Sequence, residues 1–362
     1  MNSRCIAFVL SAFTSLALCG CAGSSDKVLD TFTPPAAAAV AAPAKLVVAA
    51  VGDIDQEGKA SRQSAPGRVA ASIAAAGPDL VFGLGDYQSP VATCASMLAG
   101  FDQLWAALLP LTFHIGGSGH DWTTSTRDRG YRRYFSGTCP GQTSGASALN
   151  RGLGGSIGPG DFWSQDIGSW HLVGLPTEMW RRDPARARLI TGLLSRDLAL
   201  AKARGQHLLV AYYDSYFTSA TRRPSTNGPV QKDKADRPGS TLASRRVLLK
   251  PWIDALDRYD VRVTLSAGRG NYERSCPVLS TGACTPDAGD GTTSFNVSTG
   301  GGQLRSFRGA APSYIERRFA DTHGWLALSL DPDGSFSWQF HAVDGHEVDM
   351  GSRAAPHSAK PR

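Results

Sequence analysis

The chain has 362 residues, 42% of them hydrophobic and 19% charged, with a formal net charge of +6. That composition excludes a disordered or fibrous chain and suits one large α/β domain or two small ones. Its basic residues are scattered in pairs such as Arg181-Arg182, Arg222-Arg223, Arg245-Arg246 and Arg317-Arg318. No continuous basic stripe with interleaved aromatics runs through it, so a solvated basic surface is expected and a nucleic-acid partner is not.

Arg4 and the apolar stretch Ile6 to Leu18 read as a signal peptide over residues 1–20, too short to span a membrane comfortably. Leu18-Cys19-Gly20-Cys21 has the order of a bacterial lipobox, which makes Cys21 the expected lipidation site; an ordinary cleaved signal is the alternative. Residues 21–44, rich in Ala, Pro and Ser, read as a flexible linker. The expected location is therefore the bacterial cell envelope, outer membrane in a Gram-negative cell, with the lipid as the only membrane contact. No second hydrophobic run long enough to span a bilayer is expected.

Strands and helices then alternate. Leu46 to Val51 reads as a buried strand ending at Gly52-Asp53, and Arg68 to Ala76 as a helix stopped by Gly77-Pro78. Leu80 to Leu84 is a second strand, ending at Gly85-Asp86. Phe101 to Leu109 reads as a helix and Leu111 to Ile115 as a third strand, followed by Gly116 to Asp121. Phe162 to Ile167 and Trp170 to Leu175 read as a hairpin turned at Gly168-Ser169. Gly152 to Gly160 is a glycine-rich loop outside any strand-to-helix context. Arg186 to Ala203 is an amphipathic helix, His207 to Tyr213 a strand ending at Asp214, Arg245 to Tyr259 a helix, and Val261 to Ser266 a strand leading into Gly268-Arg269-Gly270. Gly324 to Leu330 and Ser335 to Val343 read as strands joined by the turn Asp331-Pro332-Asp333-Gly334.

This alternation implies an α/β layered fold with its site beyond the carboxyl ends of the strands. Asp53, Asp86, His120, Asp214 and Gly268 to Gly270 all fall at such ends. Apart from the leader segment and Cys21, four cysteines remain, an even number in an exported chain. Proximity pairs Cys276 with Cys284 and Cys94 with Cys139; free buried thiols are the alternative. The absence of a CxxC pair disfavours zinc.

Five segments also occur in a telling order: Val51-Gly52-Asp53, Leu84-Gly85-Asp86, Gly119-His120-Asp121, Ala211-Tyr212-Tyr213-Asp214 and Gly268 to Arg274. Together they resemble the ordered motifs of calcineurin-like metallophosphoesterases, especially the secreted branch near purple acid phosphatases. Gly168 to Val173 and Trp338-Gln339-Phe340 resemble that family's framework. The resemblance implies a layered β-sandwich flanked by helices over residues 45–347, followed by a disordered tail at 348–362. It also implies two metals that polarise a phosphate ester and activate a water. On this mapping Asp53 belongs to the first metal, Asp86 bridges the two, and His120 assists proton transfer to the leaving group.

The departures fall on both metal sites. Relative to the family pattern, Gly119 stands for an asparagine, Asp214 and the glycines 268 and 270 for histidines, and Ser89 for a tyrosine. Asp53 and Asp86 remain for one metal, Asp86 and Asp214 for the other, where roughly three or four protein ligands are usual. Without imidazoles the preference moves toward magnesium or calcium, and Asp53, Asp55, Asp86 and Asp214 form the candidate set for one such divalent ion. Arg269 is placed either to bind a phosphate-containing ligand or to neutralise Asp53 and Asp86. The second is preferred, because close carboxylates repel. His114 and His171 read as framework, and Ser118 fails as a hydrolase nucleophile because His120 occupies the place where the elbow needs glycine. The expected function is a catalytically impaired phosphoesterase-fold lipoprotein. The alternatives are an active phosphoric-ester hydrolase with a carboxylate-rich metal site and a structural envelope protein.

Overall fold

A computed structural model describes residues 45–54, 60–122, 130–151, 156–157, 162–220, 242–285 and 290–356. The leader, Cys21, the linker and Asp55 lie outside them.

Two sheets face one another. The first has the order β14-β13-β12-β1-β2-β3 and the second β11-β9-β10-β8-β7-β6-β5-β4. In the first, β1 (Leu46–Val51) runs parallel to β2 (Leu80–Gly83), which runs parallel to β3 (Thr112–His114). On its other side β1 pairs antiparallel with β12 (Gly324–Leu330), then β13 (Phe336–Ala342) and β14 (Met350–Arg353). In the second, β6 (Trp170–Leu175), β7 (His207–Asp214), β8 (Val263–Ala267) and β10 (Thr292–Val297) are successive parallel neighbours. Antiparallel strands flank them: β4 (Ser156–Ile157) and β5 (Trp163–Ile167) at one edge, β9 (Tyr272–Val278) and β11 (Ile315–Phe319) at the other.

Strand alternation builds the layers, because successive side chains point to opposite faces. In β1, Val48 and Ala50 enter the core between the sheets, while Ala49 and Val51 enter the core under the first helical layer. In β7, Leu209, Ala211 and Tyr213 face the sandwich, and Leu208, Val210 and Tyr212 face the second helical layer. The first layer contains α1 (Ala65–Ala76), α2 (Cys94–Ala99), α3 (Phe101–Trp105) and α4 (Gly130–Phe135). The second contains α5 (Met179–Arg182), α6 (Pro184–Ala203) and α7 (Leu242–Arg258). This is the expected layered β-sandwich flanked by helices.

Local chemistry sets the boundaries. Ser64 caps α1 by accepting from the Gly67 N–H at 3.3 Å, and Gly77 closes it with φ of +60°. Asp183 accepts from the Arg186 N–H at 3.0 Å, so α6 begins at Pro184 rather than Arg186. The helix expected over 101–109 is shorter: α3 passes into a 3-10 segment, Ala106–Leu111, that contains Pro110. One stretch, Cys94–Leu111, has the length and hydropathy of a membrane span. It folds instead as three short helices broken at Gly100, with Phe101, Trp105, Leu108 and Leu109 buried in the core. Disulfides join Cys94 to Cys139 and Cys276 to Cys284, with Cα–Cα distances of 5.4 and 5.8 Å. The first ties α2 to the segment after α4; the second closes the turn after β9.

The segment expected as a disordered tail contributes β14 and the buried Asp349. The domain therefore continues past residue 347, since Arg274 has its carboxylate partner there.

Candidate functional site

The parallel strands of both sheets deliver their carboxyl ends to one place. The Gly52 N–H donates to the Val297 carbonyl at 2.9 Å, and the Gly300 N–H returns to the Gly52 carbonyl at 3.0 Å. These bonds tie the end of β1 in the first sheet to the end of β10 in the second. Asp53 and Asp86 follow their strands with φ of +50° and +53°. That left-handed turn suits aspartate better than most residues.

Each aspartate finds its partners within the protein. Asp53 accepts from the Gly268 N–H through Oδ1 at 3.2 Å and from the Gly270 N–H through Oδ2 at 3.0 Å. Gly268 and Gly270 have φ of +83° and +66°, a conformation that turns their amides toward this carboxylate. Asp86 accepts from the Ser118 N–H at 2.7 Å, from the Ser118 hydroxyl at 3.0 Å, and from the Tyr213 hydroxyl. Burial, followed by the charges of Asp53 and Asp86, holds the Tyr213 phenol well above its ordinary value, so it stays a proton donor. The Tyr213 ring also fills the space beside Gly268: a Cβ there would lie 2.9 Å from it.

Asp121 supports this arrangement from below. It accepts from the backbone N–H groups of Asp86 and Gly117, each at 2.8 Å, and of Tyr87 at 3.3 Å. Burial raises its carboxyl, the Asp86 charge adds to the rise, and the three amides offset part of it. His120 points its Nδ1 at the Pro90 carbonyl, 2.6 Å away, which makes Nδ1 the protonated nitrogen. Ser118, the nucleophile weighed above, is committed to Asp86.

Asp214 belongs to a different group. It accepts from Arg245 Nη1 at 2.8 Å and from Arg181 Nη2 at 3.3 Å. Burial raises its carboxyl, but Arg181, Arg245 and Arg269 outweigh that and hold it below the usual range. Arg181 and Arg182 both also reach Glu178. Arg269 does not neutralise Asp53 or Asp86 as expected. The positive φ values on either side of it send its amide to Ser298 Oγ at 2.9 Å and its guanidinium to the Ser215 carbonyl at 3.2 Å. Burial and then the neighbouring Arg245 lower it to about 10.

The structure thus brings Asp53 and Asp86 together around Tyr213, and sets Asp214 and Arg269 in an arginine cluster. All of these carboxylate oxygens already accept a hydrogen bond, several from backbone amides that cannot rotate away. Among the described residues no three His, Cys, Asp or Glu side chains converge to hold a metal ion. The donors among the described residues do not fit a two-metal centre.

Sequence reasoning missed Ser118, Tyr213, Arg181, Arg245 and Glu178. The usable signal was the glycine at 268, which leaves room for the Tyr213 ring where the resemblance expects a histidine.

The framework histidines are buried. His114 lies between the Tyr131 hydroxyl at 2.7 Å and Asn150 Nδ2 at 2.9 Å; burial, then Arg132, lowers it to about 3, so it is neutral. His171 sits between Asp166 at 2.5 Å and Asp197 at 3.0 Å. Burial lowers its pKa, but the two carboxylates overcome this and raise it above the ordinary histidine value. A raised folded pKa gives stability that is complete below the unfolded value near 6.5 and is lost as pH rises through the folded one. The melting-temperature advantage of the wild type over His171→Gln is expected to shrink between pH 6 and pH 9. An advantage that grew over that range would contradict a charged His171.

Solved structures share this arrangement. The chain aligns with the purple acid phosphatase PPD1 of yellow lupin (Lupinus luteus) seeds at a TM-score of 0.59 and 18% identity, over 85% of this chain and 53% of that one. The fold is that of the metallophosphoesterases. GAP50 of Plasmodium, described as the anchor in the inner membrane complex, aligns at 0.59 and 13% identity, over 87% of this chain and 90% of that one. PhoD aligns at 0.51 and 12% identity, over 88% and 70%. The chain thus spans about half the length of the lupin phosphatase. No protein-family model matches it, and no curated protein matches it in sequence.

Proposed function

We propose that this chain is an exported, lipid-anchored protein that keeps the phosphoesterase-like fold without two-metal hydrolysis. One observation carries the reading: the amides of Gly268 and Gly270 take both oxygens of Asp53, where the resemblance calls for two histidines and a metal. Tyr213 supports it from the other side, because its hydroxyl binds Asp86 and its ring occupies the volume beside Gly268. The protein's own donors supply the positive potential that a metal pair provides in a two-metal hydrolase. Attachment through Cys21 and residence at the cell envelope are part of the proposal, and the two disulfides suit an oxidising compartment.

The test is turnover of p-nitrophenyl phosphate by the purified protein with manganese, iron, zinc, magnesium or calcium supplied. Background rates are expected, unchanged by Asp86→Ala. Metal-dependent turnover that disappears in Asp86→Ala would return the chain to the active, carboxylate-rich reading.

A further inference from the structure

The cluster around Asp214 gathers four guanidiniums, Arg181, Arg182, Arg245 and Arg269, against the carboxylates of Glu178 and Asp214, with Glu273 beside Ser219 and Asp86 held by Ser118, one residue from Gly119. Hydrogen bonding there is incomplete. Arg269 is 5% exposed, yet its Nε has no partner among the described residues. Burying an incompletely paired guanidinium beside another one, Arg245, is unfavourable. A bound anion would supply the charge and the acceptor that Arg269 lacks.

The cluster meets solvent at Gly119. That glycine is exposed, and a side chain begun there would find one neighbour, Arg182 Nη2, at 3.8 Å. Arg182 is anchored through Nε to Glu178 at 3.0 Å, which leaves its Nη edge beside this space. Arg181 is tied into the same network through Glu178 and Asp214. The side chains of Arg181 and Arg182 are 22% and 27% exposed, whereas Arg245 lies behind them at 7%.

We propose that the space beside Gly119 binds a small tetrahedral oxyanion, phosphate or sulfate, gripped by Arg182 and Arg181 with the buried charge of Arg245 and Arg269 behind them. Guanidinium forks match such oxyanions with paired, charge-assisted hydrogen bonds. The site needs no metal and uses no oxygen of Asp53 or Asp86. It deepens the non-hydrolytic reading and rests on it for one point, that a bound ester leaves intact.

Calorimetric titration of the full chain at low ionic strength, with inorganic phosphate and separately with sulfate, tests it against a chloride control of matched ionic strength. Saturable one-to-one binding of both oxyanions is expected. Arg182→Ala should weaken it at least tenfold, and Arg269→Gln severalfold. Arg68→Ala, which removes the same charge from α1 where Arg68 pairs with Asp344, should leave it unchanged. Should Arg269→Gln fail to fold, the comparison of Arg182→Ala with Arg68→Ala decides. No saturable heat above the chloride control, or equal losses in Arg182→Ala and Arg68→Ala, overturns the site. Hydrolysis of a phosphate ester by a protein that still binds phosphate would overturn the non-hydrolytic reading and leave the site standing.

Discussion

Gly270→His is expected to destabilise the protein by about 4 kcal/mol and to recruit no metal. The residue sits at φ of +66°, where a side chain is strained. Its Cβ would lie 2.6 Å from the Gln303 carbonyl oxygen and 3.0 Å from Arg305 Cγ, and the first of these is backbone that cannot step aside. Relieving the contact would rotate the Gly270 amide off Asp53 Oδ2, so a buried acceptor would lose its donor as well. Gly268→His meets the Tyr213 ring instead, and moving that ring would take its hydroxyl from Asp86. The double variant should therefore be less stable than either single one. Urea unfolding gives the energies and elemental analysis the metal content. A double variant that unfolds at the wild-type midpoint and carries stoichiometric metal would sink the idea that this loop is rebuilt around its own amides.

Those two glycines also show what the sequence makes legible. The strand-end positions of Asp53, Asp86 and Asp214 follow from apolar runs stopped by small and acidic residues, a local pattern. The layered fold follows from the alternation of strands and helices. What an aspartate does after its strand is not local. Asp53 is held by amides 215 and 217 positions away in sequence, and Asp86 by a hydroxyl 127 positions away. Asp214 carries the same strand-end signature as Asp86, yet its partners Arg181 and Arg245 come from α5 and α7 and draw it into another cluster. Arg269 shows the same gap: its place between two glycines was legible, but the side to which their positive φ values would turn it was not. The strands β9, β10 and β11 escaped for a related reason. Their burial is completed by polar ladders and Arg–carboxylate pairs, so Tyr-Glu-Arg-Ser within β9 has no apolar alternation to read.

Asp349→Ala should cost about 3–5 kcal/mol, as expected when one partner of a buried ion pair is removed. Arg274 grips Asp349 with two bonds, Nε to Oδ2 at 2.8 Å and Nη2 to Oδ1 at 3.0 Å, and the Tyr272 hydroxyl adds a third at 2.7 Å. Asp349 is 5% exposed, so little water is at hand to replace it. Arg274 would keep Glu316 and its place over the Trp338 ring, 4.7 Å from the centroid, which limits the loss. The tyrosine and arginine that outlast the resembled motif thus tie β9 of the second sheet to the residue that leads into β14 of the first. Deleting residues 348–362 should reproduce the Asp349→Ala loss and add that of β14, which pairs with β13 from Phe336 to Gln339. Thermal unfolding of the two variants is the check, with falls on the order of 10 °C expected. A deletion that melts with the wild type would return residues 348–362 to the status of a tail and leave Arg274 without the role given to it.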